Sequence, residues 1–158
     1  MIALEPVALG EKAALRAMFD RYLVAHADLA DPQRRHGDPR DEPYFDLYWV
    51  DPQREPLWIL AEGIRAGFVL LNTWSPSGLG ADHAIGEFNV EPMWRRQGIG
   101  SAAVRAALAG RAGLWELQVY RATPDAMHFW PSALRRAGVY DHAVIERPDR
   151  VIHRFQSL

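Results

Sequence analysis

The stretch "EFNVEPMWRRQGIGSAAVRAAL", Glu87 to Leu108, runs from a half-apolar strand through two arginines and two glycines into an alanine-rich helix. That order aims backbone N–H groups at an anion, because the first amides of a helix have no partner within it and lie at its positive end. Arg95 opens the loop, and Gly98 and Gly100 remove Cβ atoms so that the chain can approach a ligand. Ser101 and Ala102 begin the helix. The amides of Gln97 to Ala102 are therefore candidates for holding a diphosphate. The spacing is weak on its own, and glycines chosen only for close helix–sheet packing are the plain alternative. Gly98, Gly100 and Ala103 also satisfy the dinucleotide fingerprint. Against that reading, "EPMWRRQ" separates the glycines from Val90, and Glu116 lies inside the next strand rather than at its end.

Glu87 is the second candidate for chemistry. A carboxylate on a strand beside a ligand site can serve as a proton acceptor. Strict alternation in "HAIGEFNV" places Ile85 and Glu87 on one face and Phe88 with Val90 on the other. Glu116, in "LWELQVY", is a further carboxylate on a neighbouring run. In "DEPYFDLYWVD", Asp41 to Asp51, carboxylates alternate with aromatic rings. Tyr44, Asp46, Tyr48 and Glu116 are the candidates for gripping a cationic acceptor, with helix capping and packing as the alternative.

The 158 residues carry a net charge of -2, which lacks the basic footprint of a nucleic-acid partner. There is no cysteine, so thiolate metal sites, disulfides and a cysteine nucleophile are excluded, and no Gly-x-Ser-x-Gly elbow supplies a serine. The six histidines have no paired helical spacing, so no metal is expected. No segment approaches the ~20 apolar residues of a membrane span, and the N-terminus has no leader-like pattern, so the expectation is a cytoplasmic protein off the membrane. Monomer and homodimer both stay open.

The elements that must position these groups read as one α/β domain over residues 1–158. A strand near Ile2 to Leu4 precedes an amphipathic helix marked by Leu15, Met18, Phe19, Tyr22, Leu23 and His26. A polar loop, Ala30 to Pro43, leads to a short helix from Asp41, as N-cap, to about Trp49. Two apolar runs about Glu62-Gly63 form a hairpin, and His83 to Val90 forms the next strand. A helix spans about Gly98 to Arg111, then a strand Leu114 to Tyr120. Thr123 caps another helix, which Pro131 should kink or divide. A hairpin about Arg147 to Asp149 closes the chain. The result is a mixed, mostly antiparallel sheet of about seven strands, flanked by helices, with one parallel crossover.

"V-x-P-x-W-R-R-Q-G-I-G-S-A", Val90 to Ala102, resembles the acyl-CoA loop of the GNAT superfamily of acyl-CoA-dependent N-acetyltransferases, with its Arg/Gln-x-x-Gly-x-Gly/Ala core. "AGFVLLN" resembles the family's third strand, and "ATPDAMHFW" the helix that elsewhere follows Asn-x-x-Ala. The resemblance implies acetyl transfer from acetyl-CoA to a primary amine, small-molecule or peptide, in a ternary complex. It implies the coenzyme diphosphate on the amides of Gln97, Gly98, Ile99, Gly100, Ser101 and Ala102, with Arg95 or Arg96 nearby. Phe88, Asn89 and Val90 would pair with the pantetheine arm, and Phe129 would lie on the coenzyme's path. Glu87 matches the general-base position. Where many relatives carry the tyrosine that protonates the leaving thiolate, this chain has Trp130. Tyr120 is the first substitute; Tyr140, His128 and departure without an acid are the others. A non-catalytic acyl-CoA-binding module is the alternative of a different class.

Overall fold

The structure, a computed structural model, describes residues 1–27 and 37–158. The strands are β1 (Ile2–Pro6), β2 (Glu55–Ala61), β3 (Ile64–Asn72), β4 (His83–Val90), β5 (Gly113–Tyr120), β6 (Tyr140–Glu146) and β7 (Arg150–Ser157). The helices are α1 (Lys12–Ala27), α2 (Ile99–Leu108) and α3 (Pro124–Arg136). One sheet orders the strands β1-β2-β3-β4-β5-β7-β6, and β4–β5 is its parallel pair. The expected mixed sheet of seven strands is the one observed.

Alternating side chains divide the core between the two faces of this sheet. On one face Leu57, Ile59, Val69 and Leu71 meet Ile99, Ala103, Val104 and Leu108 of α2 and Trp130, Ala133 and Leu134 of α3. On the other, Trp58, Phe68 and Leu70 meet Leu15, Met18 and Phe19 of α1. Phe45 and Tyr48 join this second cluster from a 3-10 turn over Phe45–Trp49. The β2–β3 hairpin turns through Glu62 (φ 49°) and Gly63 (φ 80°), the paired positive φ of a two-residue turn whose twist suits the flanking strands.

Three local expectations are corrected. Asp41 caps no helix: its N–H donates to the Asp38 carbonyl, Glu42 accepts from the Tyr44 N–H, and the 3-10 turn starts only at Phe45. Pro131 does not divide α3. The helix runs through it because Trp130, Ala133 and Leu134 are buried against the sheet, which outweighs the bond lost at the proline. Thr123 does precede α3, but its hydroxyl donates back to the Tyr120 carbonyl at 2.6 Å instead of capping forward.

The β6–β7 hairpin carries an imidazole pair, His142 Nε2 and His153 Nδ1, 2.8 Å apart. His153 is fully buried, and burial together with its neighbour pushes its pKa from the usual 6.5 to about 4. Such a depressed group contributes stability in full above 6.5 and loses it as the pH falls through 4. The thermal midpoint should therefore fall across this window by several degrees, about 2 kcal/mol or more of stability. His153→Phe, which keeps a ring in place, should flatten the step in a pH series of melting curves.

Candidate active site

A one-residue irregularity in β4 decides where Glu87 points. Leu70 of β3 pairs with Glu87, but Leu71 pairs with Ile85, so Gly86 is an extra residue in β4. Alternation is broken there: Ile85 joins Phe88 and Val90 on the α2–α3 face, whereas Glu87 turns to the α1 face. The expected grouping of Ile85 with Glu87 is thus overturned by a bulge. A Cβ on Gly86 would lie 2.5 Å from Asn72 Nδ2 and 3.0 Å from the Tyr48 hydroxyl, so any larger residue there must displace the bond between those two side chains.

Glu87 is partly buried among phenols. Tyr22 of α1 donates to Glu87 Oε2 at 2.5 Å. Asn72 Nδ2 donates to the buried Tyr48 hydroxyl at 3.0 Å, and the field of Glu87 adds to the raised pKa of Tyr48. Loss of solvent pushes the Glu87 carboxyl from 4.5 up to about 7; the Tyr22 bond pulls it down and the negative charge of Glu42 pushes it further up. A carboxyl balanced near neutrality can both take and release a proton at physiological pH.

β4 leaves β5 immediately before this point. The two strands pair at His83 with Trp115 and at Ala84 with Glu116, and no further, while β5 stays paired with β7 along its length. Tyr120 stands at the end of β5, across the parting. It is within electrostatic reach of Tyr22, and Arg150 lies 4.8 Å over its ring. At the end of β4, Arg95 donates to the Val90 carbonyl at 2.7 Å and to Asn89 Oδ1 at 3.0 Å. This arginine braces the strand rather than facing the glycine loop.

The loop itself turns through a 3-10 segment, Pro92–Trp94, then Arg96 (φ 62°) and Gly98 (φ 76°). Gly98 occupies the N-cap of α2, so the N–H groups of Gly98, Ile99, Gly100 and Ser101 have no acceptor inside the helix. Ala102 departs from the expectation, because its N–H donates to the Gly98 carbonyl at 3.2 Å. Ile99 is buried in the core, so only its backbone is available. Gly100 packs on a ring: a Cβ there would lie 2.8 Å from Phe129 Cε1. Phe129 in turn stacks on Phe88 with centroids 5.7 Å apart. Arg96 is exposed and engages no partner among the described residues.

A family model described as the acetyltransferase (GNAT) family matches residues 17–133. The chain belongs to the GNAT family. The GNAT fold recurs in solved structures at low identity. An acetyltransferase from Thermus thermophilus is 15% identical, with 99% of this chain and 97% of that one covered and a TM-score of 0.70. A PaiA N-acetyltransferase from Thermoplasma acidophilum, in complex with coenzyme A, is 11% identical, with 99% of both chains covered and a TM-score of 0.63. The aminoglycoside acetyltransferase AAC(6')-Ib, in complex with coenzyme A and kanamycin, is 14% identical over 99% of this chain and 95% of that one, with a TM-score of 0.63. The dinucleotide alternative falls with the fold, because it needs glycines directly after a strand of a parallel sheet.

The GNAT sheet thus brings Glu87, Tyr48 and Tyr120 to one face and leaves other candidates elsewhere. Asp46 pairs with Lys12 at 3.0 Å, away from Tyr48. Tyr44 is exposed, 5.6 Å from the Arg54 guanidinium. Glu116 is fully buried and accepts from Ser75 Oγ (2.9 Å), Ser77 N (3.0 Å), Ser77 Oγ (2.6 Å) and Arg154, which fastens the β3–β4 loop to the sheet. Its bonded partners do not include Glu87 or Tyr22. His128 is exposed on α3, and Tyr140 lies on the outermost strand. Sequence reasoning missed Tyr22 as a site residue because helical spacing accounts for it as core. Glu42 was legible only as one carboxylate among several.

Proposed function

We propose that this GNAT protein, acting as one domain over residues 1–158, is an N-acetyltransferase that moves an acetyl group from acetyl-CoA to a primary amine by direct attack. The observation that carries the reading is Glu87: a carboxyl balanced near neutrality, on the strand that parts from β5, beside a loop with unpartnered amides. Coenzyme A in complexes of similar folds supports the donor.

The donor set fits an anionic diphosphate: the N–H groups of Gln97, Gly98, Ile99, Gly100 and Ser101 at the positive end of α2, with Arg96 beside them. The edge of β4 at Phe88, Asn89 and Val90 that no longer pairs with β5 would face the pantetheine arm, with the Val90 carbonyl already held by Arg95, and Phe129 closes the apolar side. Acetyl-CoA bound there supplies the acyl group as a thioester. From the α1 face Glu87 takes the proton of the attacking amine as the C–N bond forms, directly or through water. Tyr120 stands across the parting, where it can donate to the departing sulfur as the C–S bond breaks. Tyr48 lines the acceptor side with Glu42; Asp46 and Glu116 stay outside it because each has its carboxylate engaged elsewhere. Kanamycin bound to a similar fold supports a small-molecule amine as acceptor, and the acceptor's identity is a matter for a panel of amines and peptides.

Titration calorimetry with acetyl-CoA, beside thiol-release assays on that panel, tests this reading. Arg96→Glu should weaken acetyl-CoA binding by roughly 10-fold or more, since it sets a negative charge against a diphosphate. Undiminished binding would remove Arg96 from the site, and no binding in the parent protein would remove the reading.

A further inference from the structure

Helical spacing accounts for Tyr22 as one more core aromatic, yet its hydroxyl leaves the core. The ring is fixed on three sides: stacked on Phe19 at 5.8 Å, edge-on to Phe68 at 5.3 Å and against His26 at 4.2 Å. The hydroxyl has one bonded partner, Glu87 Oε2 at 2.5 Å. Oε1 of the same carboxyl takes no hydrogen bond among the described residues.

We propose that Tyr22 is a positioning residue for Glu87: its clamped phenol holds Oε2, fixes the plane of the carboxyl and leaves Oε1 as the oxygen that meets the acceptor amine. The catalytic meaning of this pairing rests on the general-base reading; the pairing itself does not. Glu87 sits between opposing influences. The groups facing it are Tyr22 from α1, Glu42 before the Phe45–Trp49 turn and Tyr48 within that turn. Tyr120 of β5 and His26 of α1 neighbour Tyr22 rather than the carboxyl, the first within electrostatic reach and the second in ring contact. Among these the Tyr22 hydroxyl is the one bonded donor that favours the carboxylate. A ring wanted only for packing would be served as well by phenylalanine.

Carboxyl carbon NMR on the full chain, labelled with 13C at the glutamate carboxyl, reads the pairing without a known acceptor. The Glu87 signal is the one missing from Glu87→Gln. In Tyr22→Phe its titration midpoint should rise by roughly one pH unit, because a hydrogen bond to the charged form has been removed. With 3-fluorotyrosine at position 22, a stronger donor of nearly the same shape, the midpoint should fall. Movement in these opposite directions supports the proposal, and coincident midpoints overturn it. If Tyr22→Phe does not fold, the fluorotyrosine protein decides alone. Unchanged turnover in Glu87→Gln would remove the general base and leave the pairing standing; coincident midpoints would remove the pairing and leave the base.

Discussion

Glu87→Gln should lower acetyl transfer at neutral pH by roughly 10²- to 10³-fold, leave acetyl-CoA affinity unchanged and make the protein more stable in mild alkali. The first effect follows from removing the carboxyl beside the parting of β4 and β5 whose proton affinity is balanced near neutrality. The size is that of a lost general base rather than a lost binding contact. Coenzyme affinity should hold because the unpartnered amides of α2 belong to the loop after β4, not to this side chain.

The stability effect has a definite sign. Burial raises the Glu87 carboxyl from 4.5 to about 7, so its contribution is most favourable below 4.5 and is lost as the pH rises through 7. Above that point the native state holds an ionised carboxylate that the unfolded chain would rather carry. At ~1.4 kcal/mol for each tenfold change in proton affinity, the penalty is about 3 kcal/mol, and glutamine escapes it. Melting curves near pH 8 should therefore place the variant several degrees above the parent, with the gap closing toward about pH 4.5. Lower activity with higher stability is the mark of a group kept for function. Full turnover in the variant would falsify the general-base assignment, and equal melting points in alkali would show that Glu87 is better solvated than its surroundings imply.

How much of this was legible in the sequence depends on whether each feature is set locally. The turn at Glu62-Gly63, the glycine loop before α2 and the succession of strands and helices along the chain are written in short-range patterns, and all appear where expected. The face occupied by Glu87 was not, because one extra residue reverses alternation and a bulge at Gly86 leaves no periodic trace. Tyr22 was hidden for a related reason: spacing identifies which ring faces the core, not where its hydroxyl ends. Arg95 and Arg96 are indistinguishable as a pair, yet the chain turns the first back onto Asn89 and Val90 and leaves the second without a partner among the described residues. Glu116 read as a further candidate carboxylate, and sequence gives no sign that Ser75, Ser77 and Arg154 enclose it.

Gly67→Ala should cost about 4 kcal/mol or more, the largest stability loss expected of a single added methyl group in this chain. Gly67 pairs with Val90 at the end of β4, and a Cβ on it would lie 2.0 Å from the Asn89 carbonyl oxygen and 3.0 Å from Val90 Cα. Both obstacles are backbone, so no rotamer change relieves them, and β4 must move. The consequence reaches function because these are the residues at which β4, already parted from β5, leans onto β3. Pushing Asn89 and Val90 away from β3 would also disturb the brace that Arg95 makes to both. Urea denaturation should show a sharply lower midpoint, with acetyl-CoA affinity reduced in whatever fraction still folds. Gly10→Ala is the control: nothing lies within 4 Å of its added Cβ, and its stability should stay within about 0.5 kcal/mol of the parent. If Gly67→Ala melts like that control, β4 is free to shift, and the close approach of β4 to β3 is not what keeps the gap beside β5 open.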